Sequence, residues 1–196
     1  PSVNGIVDTS DESGQTYKAN VSFTPNDNTL IYAQWSEGFR IGRGQQLPPA
    51  DLCDVDGDGI LDGSDGVLTK TIEPDTTDSI ELGVKLTLMD NRLVVNAAVF
   101  STDWENRPVT ISENSDACPF FRIVNNVGEA KTEGVELEGS YLVGSGLAIN
   151  FSGSYVDAND KDGDLTYTPH VNASLGLQYD FDMGANPSYF RADMSY

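Results

Sequence analysis

Ser79-Ile80-Glu81-Leu82-Gly83-Val84-Lys85-Leu86-Thr87-Leu88 alternates between polar and apolar residues at every step. Successive side chains of a β-strand point to opposite faces. Ile80, Leu82, Val84, Leu86 and Leu88 therefore share one face, and Ser79, Glu81, Gly83, Lys85 and Thr87 the other. A helix would wind both sets around its whole circumference, so the run predicts a strand with one apolar and one polar face.

The same period recurs on both sides of this stretch. Tyr17, Ala19, Val21 and Phe23 alternate with Lys18, Asn20, Ser22 and Thr24, and Val135, Leu137 and Tyr141 oppose Glu136, Glu138 and Ser140. Leu147, Ile149, Phe151 and Tyr155 alternate with Asn150, Ser152 and Ser154. Val171, Ala173, Leu175, Leu177, Tyr179 and Phe181 alternate with His170, Asn172, Ser174, Gly176, Gln178 and Asp180. With the less regular segments 30–40, 92–104 and 188–196, the pattern predicts about eight strands.

The connections alternate as well. Short turns rich in Asn, Asp, Gly and Pro fall at residues 25–28, 89–91, 143–146 and 182–187. Long polar loops are expected at roughly 42–74, 108–128 and 158–167. Short turns at one end and long loops at the other, with strands longer than the usual five or six residues, is the layout of an outer-membrane barrel. Aromatics near strand ends (Tyr17, Phe23, Tyr155, Tyr179, Phe181) fit the interfacial girdles of such barrels. A soluble β-sandwich alternates too, with its apolar rows packed on each other, and alternation does not separate the two.

Composition narrows the function. The 196 residues carry a net charge of −20 with 11 Lys plus Arg, which argues against a nucleic-acid partner and suits divalent cations. No run approaches the roughly eighteen apolar residues of a membrane helix. Mean hydropathy is −0.32, as expected where inward polar residues dilute outward apolar ones. No leader of basic then apolar residues is visible, and Met194-Ser195-Tyr196 reads as a strand cut before its turn, so a fragment is expected.

Residues 54–65 read Asp-Val-Asp-Gly-Asp-Gly-Ile-Leu-Asp-Gly-Ser-Asp. In an EF-hand-type register Asp54, Asp56 and Asp58 take positions one, three and five, and Gly59 takes the sharp turn at six. Ile60 would offer its carbonyl, Asp62 position nine and Asp65 position twelve. Ca²⁺ needs six or more oxygens around one point, and this spacing supplies them. Asp65 in place of Glu shortens the last reach, and no amphipathic helices flank the loop, so a structural, weakly bound Ca²⁺ is expected. A second acidic stretch, Asp157, Asn159, Asp160, Asp162 and Asp164, is less regular and reads as a polar outer loop. Cys53 and Cys118 suggest one disulfide in an oxidising compartment, with two unpaired thiols as the other possibility. Such a bond would staple two long loops, and geometry decides whether it can form.

No nucleophile elbow, phosphate loop, zinc motif or dinucleotide fingerprint is present, so no catalytic residue is expected and the chain reads as a non-enzyme. His170 is the sole histidine and reads as a strand-end or lumen residue. Arg40, Lys85, Arg107 and Arg122 read as polar lining rather than ligand contacts.

Four segments then carry a resemblance. Tyr32-Ala33-Gln34-Trp35-Ser36-Glu37-Gly38-Phe39-Arg40 is similar to a strand of TonB-dependent receptor barrels, and Glu73-Pro74-Asp75 through Glu81-Leu82-Gly83-Val84-Lys85 to a second, with Asp75 where Glu is commoner. Leu93 through Ala98-Val99-Phe100 to Asp103-Trp104 resembles a third. Asn125-Asn126-Val127-Gly128-Glu129-Ala130 through Gly134-Val135-Glu136-Leu137-Glu138 resembles a fourth. They follow in the family's order over about residues 17–155.

The resemblance implies an all-β, antiparallel, up-and-down transmembrane barrel of about 22 strands, to which this chain gives about eight. It implies an active-transport receptor in the bacterial outer membrane for a scarce nutrient: siderophore-iron, cobalamin or oligosaccharide. The long loops would be extracellular. The partners would be membrane lipid, the nutrient, and the TonB energy-transducing complex, reached through an N-terminal part not seen here. The alternatives are a soluble secreted calcium-stabilised β-domain that binds carbohydrate or a surface, and a β-barrel hydrolase or pore of another family.

Overall fold

The computed structural model describes residues 13–112, 118, 121–161, 163–165 and 168–196. Strands β1 (Lys18–Asn26) and β2 (Thr29–Arg40) lead to a short pair, β3 (Arg43–Gly44) and β4 (Thr71–Ile72), on either side of a single helical turn, α1 (Ala50–Cys53). Then come β5 (Asp75–Leu88), β6 (Leu93–Ser112), β7 (Arg122–Val143), β8 (Leu147–Asp160), β9 (Gly163–Asp164), β10 (Val171–Met183) and β11 (Asn186–Ser195). The eight long strands lie side by side in the order β1-β2-β5-β6-β7-β8-β10-β11. Apart from the short interlopers, this is chain order, the up-and-down arrangement that the resemblance implies.

The tight turns have local causes. Met89, Asp90 and Asn91 all take positive φ (54°, 55° and 66°), and Asp and Asn tolerate the left-handed region better than most residues. The β1–β2 register pairs Val21 with Ala33 and Phe23 with Ile31 on the apolar face, and Asn20 with Gln34 and Ser22 with Tyr32 on the polar one. Across β8, β10 and β11 the register likewise keeps Leu175 beside Phe151 and Met194, and Ser174 beside Ser152.

Of the described residues, two compact units form, one from 13–16, 38–77 and 104–130, the other from 17–37, 78–103 and 131–196. The second holds most of the long sheet. Its apolar row is uncovered: Val21 is 72% exposed, Phe23 63% and Leu82 53%. A soluble domain needs these rows to pack on each other, and they do not. The first unit holds the buried apolar cluster of Cys53, Leu61, Cys118 and Ile123, with Leu68 and Ile111 packed against it.

Two loop expectations need correction. The loop expected at 108–128 is much shorter, because β6 runs to Ser112 and β7 starts at Arg122. Ile123 is buried in the cluster and Ile111 packs against it, which extends both strands into the stretch read as a loop. Within the loop expected at 158–167, Asn159 pairs with Asp164 and Asp160 with Gly163 as strands β8 and β9. Its acidic residues are strand-end residues, and Asp162 lies outside the described residues.

Candidate functional site

The acidic loop leaves α1 at its last turn, where the Asp54 amide donates to the Ala50 carbonyl (3.0 Å). The Asp54 carboxylate then accepts from the Gly59 amide (3.2 Å), Asp56 from the Asp58 amide (3.3 Å) and Asp58 from the Ile60 amide (2.8 Å). Gly59 has φ +80°, which a side chain would disfavour. The loop so folded brings one oxygen of each of Asp54, Asp56 and Asp58 within 4.8 Å of the others. Three like charges at that range repel, and a cation between them would relieve it.

The other expected ligands are placed differently. Asp62 accepts from the Val55 amide (3.0 Å), and Asp65 is exposed and outside the three-carboxylate group. Ile60 faces Val67 in an isolated bridge. The bonds of that bridge run from Leu61 to the Gly66 carbonyl and from Leu68 to the Gly59 carbonyl, so it leaves the Ile60 carbonyl unused. Leu61, 1% exposed, sits in the buried cluster beside the cysteines. Cys53 and Cys118, 65 residues apart, are joined, with Cα atoms 5.0 Å apart.

A second grouping joins residues that the sequence named separately, Arg40 and Arg107 as polar lining and Asp75 and Trp104 within the quoted segments, without showing that they meet. Arg40 donates from Nε and Nη2 to the two oxygens of Asp75 (2.7 and 2.8 Å), and Trp104 donates its indole N–H to the same carboxylate. The guanidinium carbons of Arg40 and Arg107 lie 5.6 and 5.7 Å from the Trp104 ring centroid. Arg40, Asp75 and Trp104 belong to the first three quoted segments, so motifs far apart in the chain converge on one carboxylate.

The polar face of the second unit is a hydrogen-bonded wall. Tyr32 donates to Glu81 (2.6 Å), Lys85 Nζ lies 6.0 Å from the Tyr32 ring centroid, and Asn96 donates to Glu138 (2.8 Å). Together they line a recess of about 270 Å³. On the apolar face the Trp35 indole N–H reaches Asp78 (3.2 Å). His170 sits just before β10, with Nδ1 3.0 Å from the Val156 carbonyl and Nε2 3.4 Å from Asp164. The Val156 carbonyl and then the Asp164 carboxylate hold its pKa above the usual 6.5. Arg122 is exposed.

One bare apolar face, one hydrogen-bonded polar face and strands in chain order define the wall of a transmembrane β-barrel. The comparisons agree. The family model described as "TonB dependent receptor-like, beta-barrel" matches residues 2–196. The chain belongs to this family of outer-membrane receptors, which are not enzymes. The probable TonB-dependent siderophore receptor PiuA of Acinetobacter baumannii is 30% identical over 124 residues, covering 62% of this chain and 14% of that protein. The ferric yersiniabactin uptake receptor FyuA of Yersinia pestis superposes with a TM-score of 0.66 at 15% identity, over 89% of this chain and 24% of its own. BauA, the ferric preacinetobactin receptor of A. baumannii, gives 0.64 at 18% identity, over 92% and 25%. The chain thus spans 14% of the curated relative and about a quarter of the solved chains.

Proposed function

We propose that this chain is part of the barrel of a receptor that carries a ferric siderophore across the outer membrane, energised by the TonB complex. The observation that carries the reading is the family match along residues 2–196 on a sheet with one uncovered apolar face. The siderophore class rests on what PiuA, FyuA and BauA are said to take up. An unpaired strand edge is untenable in lipid, so further strands would flank β1 and β11. The long connections would face outward and meet the ligand. To test it, the receptor gene is deleted and uptake of radioactive iron is followed with a panel of purified siderophores. Loss for one siderophore, reproduced by deleting TonB, is expected. Unchanged iron uptake with loss of cobalamin or oligosaccharide uptake would replace the substrate class.

We further propose that the loop around Asp54, Asp56 and Asp58 takes a structural Ca²⁺, completed by the Ile60 carbonyl, Asp62 and Asp65. The shared register and the three convergent carboxylates support this. Asp62 would have to exchange its bond to Val55 for the ion. Extracellular modules of this kind bind at about 10⁻⁴–10⁻³ M. Ca²⁺ is expected to protect residues 42–74 from protease, and Asp56→Ala with Asp58→Ala to abolish that protection. If the parent is equally protected in chelator, the assignment is wrong.

A further inference from the structure

Residues 42–74 contain few backbone ladders of their own, yet their polar backbone groups must be satisfied. Two side-chain amides of β7 do this at Val67 and Glu73, and Gln45 of the segment does the same for Val124 of β7. Gln45 accepts from the Val124 amide (2.8 Å) and donates to the Val124 carbonyl (2.8 Å). Asn125 accepts from the Val67 amide (2.9 Å) and donates to the Val67 carbonyl (2.7 Å). Asn126 accepts from the Glu73 amide (2.8 Å) and donates to the Glu73 carbonyl (3.0 Å). A carboxamide offers one acceptor and one donor edge, as a residue's backbone does, so each pair imitates a rung of β-ladder.

The placement is reciprocal. Three consecutive positions of β7, residues 124–126, grip Gln45, Val67 and Glu73, points spread along the whole segment. Gln45 reaches from the segment to the strand, while Asn125 and Asn126 reach from the strand to the segment. Asn126 also donates to the Asn106 carbonyl (2.8 Å), and Asn106 donates to the Pro74 carbonyl (2.6 Å), which brings in β6. Asn125 is 5% exposed, so water does not readily replace its partner. Ile123, the residue before the three, is buried against Leu61, and the Cys53–Cys118 bond joins the segment to the chain just before β7.

We propose that residues 42–74 form a fixed strap, clamped to β7 by Gln45, Asn125 and Asn126, which opens as one cooperative unit and not as a hinged lid. The amides are positioning residues: they hold the strap's path whether or not the acidic loop is occupied. The inference is independent of the identity of the cargo.

The test is residue-resolved hydrogen exchange on the full-length receptor in detergent. The reporters are the Val67, Glu73 and Val124 amides, each a donor to one clamp. In the parent all three exchange slowly and, in sub-denaturing urea, converge on a single opening transition. Asn126→Ala removes two neutral hydrogen bonds to Glu73, together with the one to the Asn106 carbonyl, and the Glu73 pair alone corresponds to about tenfold to hundredfold in an opening constant. A cooperative strap spreads that increase to Val67 and Val124 and leaves Leu177 of β10 unchanged. Acceleration at Glu73 alone, or three separate urea transitions in the parent, overturns the proposal. The parent measurement decides the matter even where the variant does not fold.

Discussion

Asp75 shows how much one carboxylate can organise. It is 5% exposed and accepts both nitrogens of Arg40 and the indole N–H of Trp104. Each of these donors would otherwise need a partner in a partly buried setting. Asp75→Asn keeps the shape and removes the charge, and it sets an amide NH₂ against a donor. Breaking a fully buried pair costs about 3–5 kcal/mol. The Arg40 side chain is 59% exposed, so solvent screens part of that, and we expect a loss of about 2 kcal/mol. Asp75→Glu retains two acceptor oxygens and is expected to lose less. Scanning calorimetry of the purified receptor measures both, and an Asp75→Asn protein as stable as the parent would remove the node from the account.

At the scale of elements, the connection from β8 to β10 depends on a titrating group. His170 donates from Nδ1 to the Val156 carbonyl and faces Asp164 of β9, so it ties β9 and the start of β10 to β8. Its raised pKa means that the folded state favours the protonated ring. The stabilisation is therefore fully present below pH 6.5 and is lost as pH rises through the folded value. The amide of Leu165, which donates to the Ala158 carbonyl (2.8 Å), should exchange faster above that pH after correction for base catalysis, and His170→Gln should remove the step. A Leu165 protection factor that does not change across this pH range would count against this role of His170. The convergence of Asp54, Asp56 and Asp58 was legible from sequence, because their spacing is set by local turns. Asp62 and Asp65 depend on how the loop closes onto Val67, which no spacing reveals. Likewise β6 runs past residue 108 because Ile111 packs against the buried cluster, a partner set by distant residues. The convergence of Arg40, Asp75 and Trp104 spans 35 and 29 residues, and only pairing of whole strands brings them together.

At the scale of the whole sheet, period-2 alternation gave both faces but not what each face meets. That required seeing the apolar row left bare. The outward row of β10 from Val171 to Phe181 covers about 33 Å along the strand. At a tilt of about 40° this is a height of about 25 Å, the depth of the apolar band of such barrels. Ala33 and Gln34 provide a test at matched depth. They are adjacent in β2, and their partners on β1 are Val21 and Asn20, so Ala33 shares the apolar face and Gln34 the polar one. An Arg on the lipid face costs about 2–4 kcal/mol at the midplane and about 0–1 near the interfaces. On the opposite face water or polar groups can meet it. Ala33→Arg should therefore reduce the fraction of receptor that assembles in the outer membrane, read as heat-modifiable mobility on a gel, while Gln34→Arg assembles close to the parent level. Equal assembly of the two variants would mean that the bare apolar row does not face lipid. A larger defect in Gln34→Arg would mean that the faces are assigned the wrong way round.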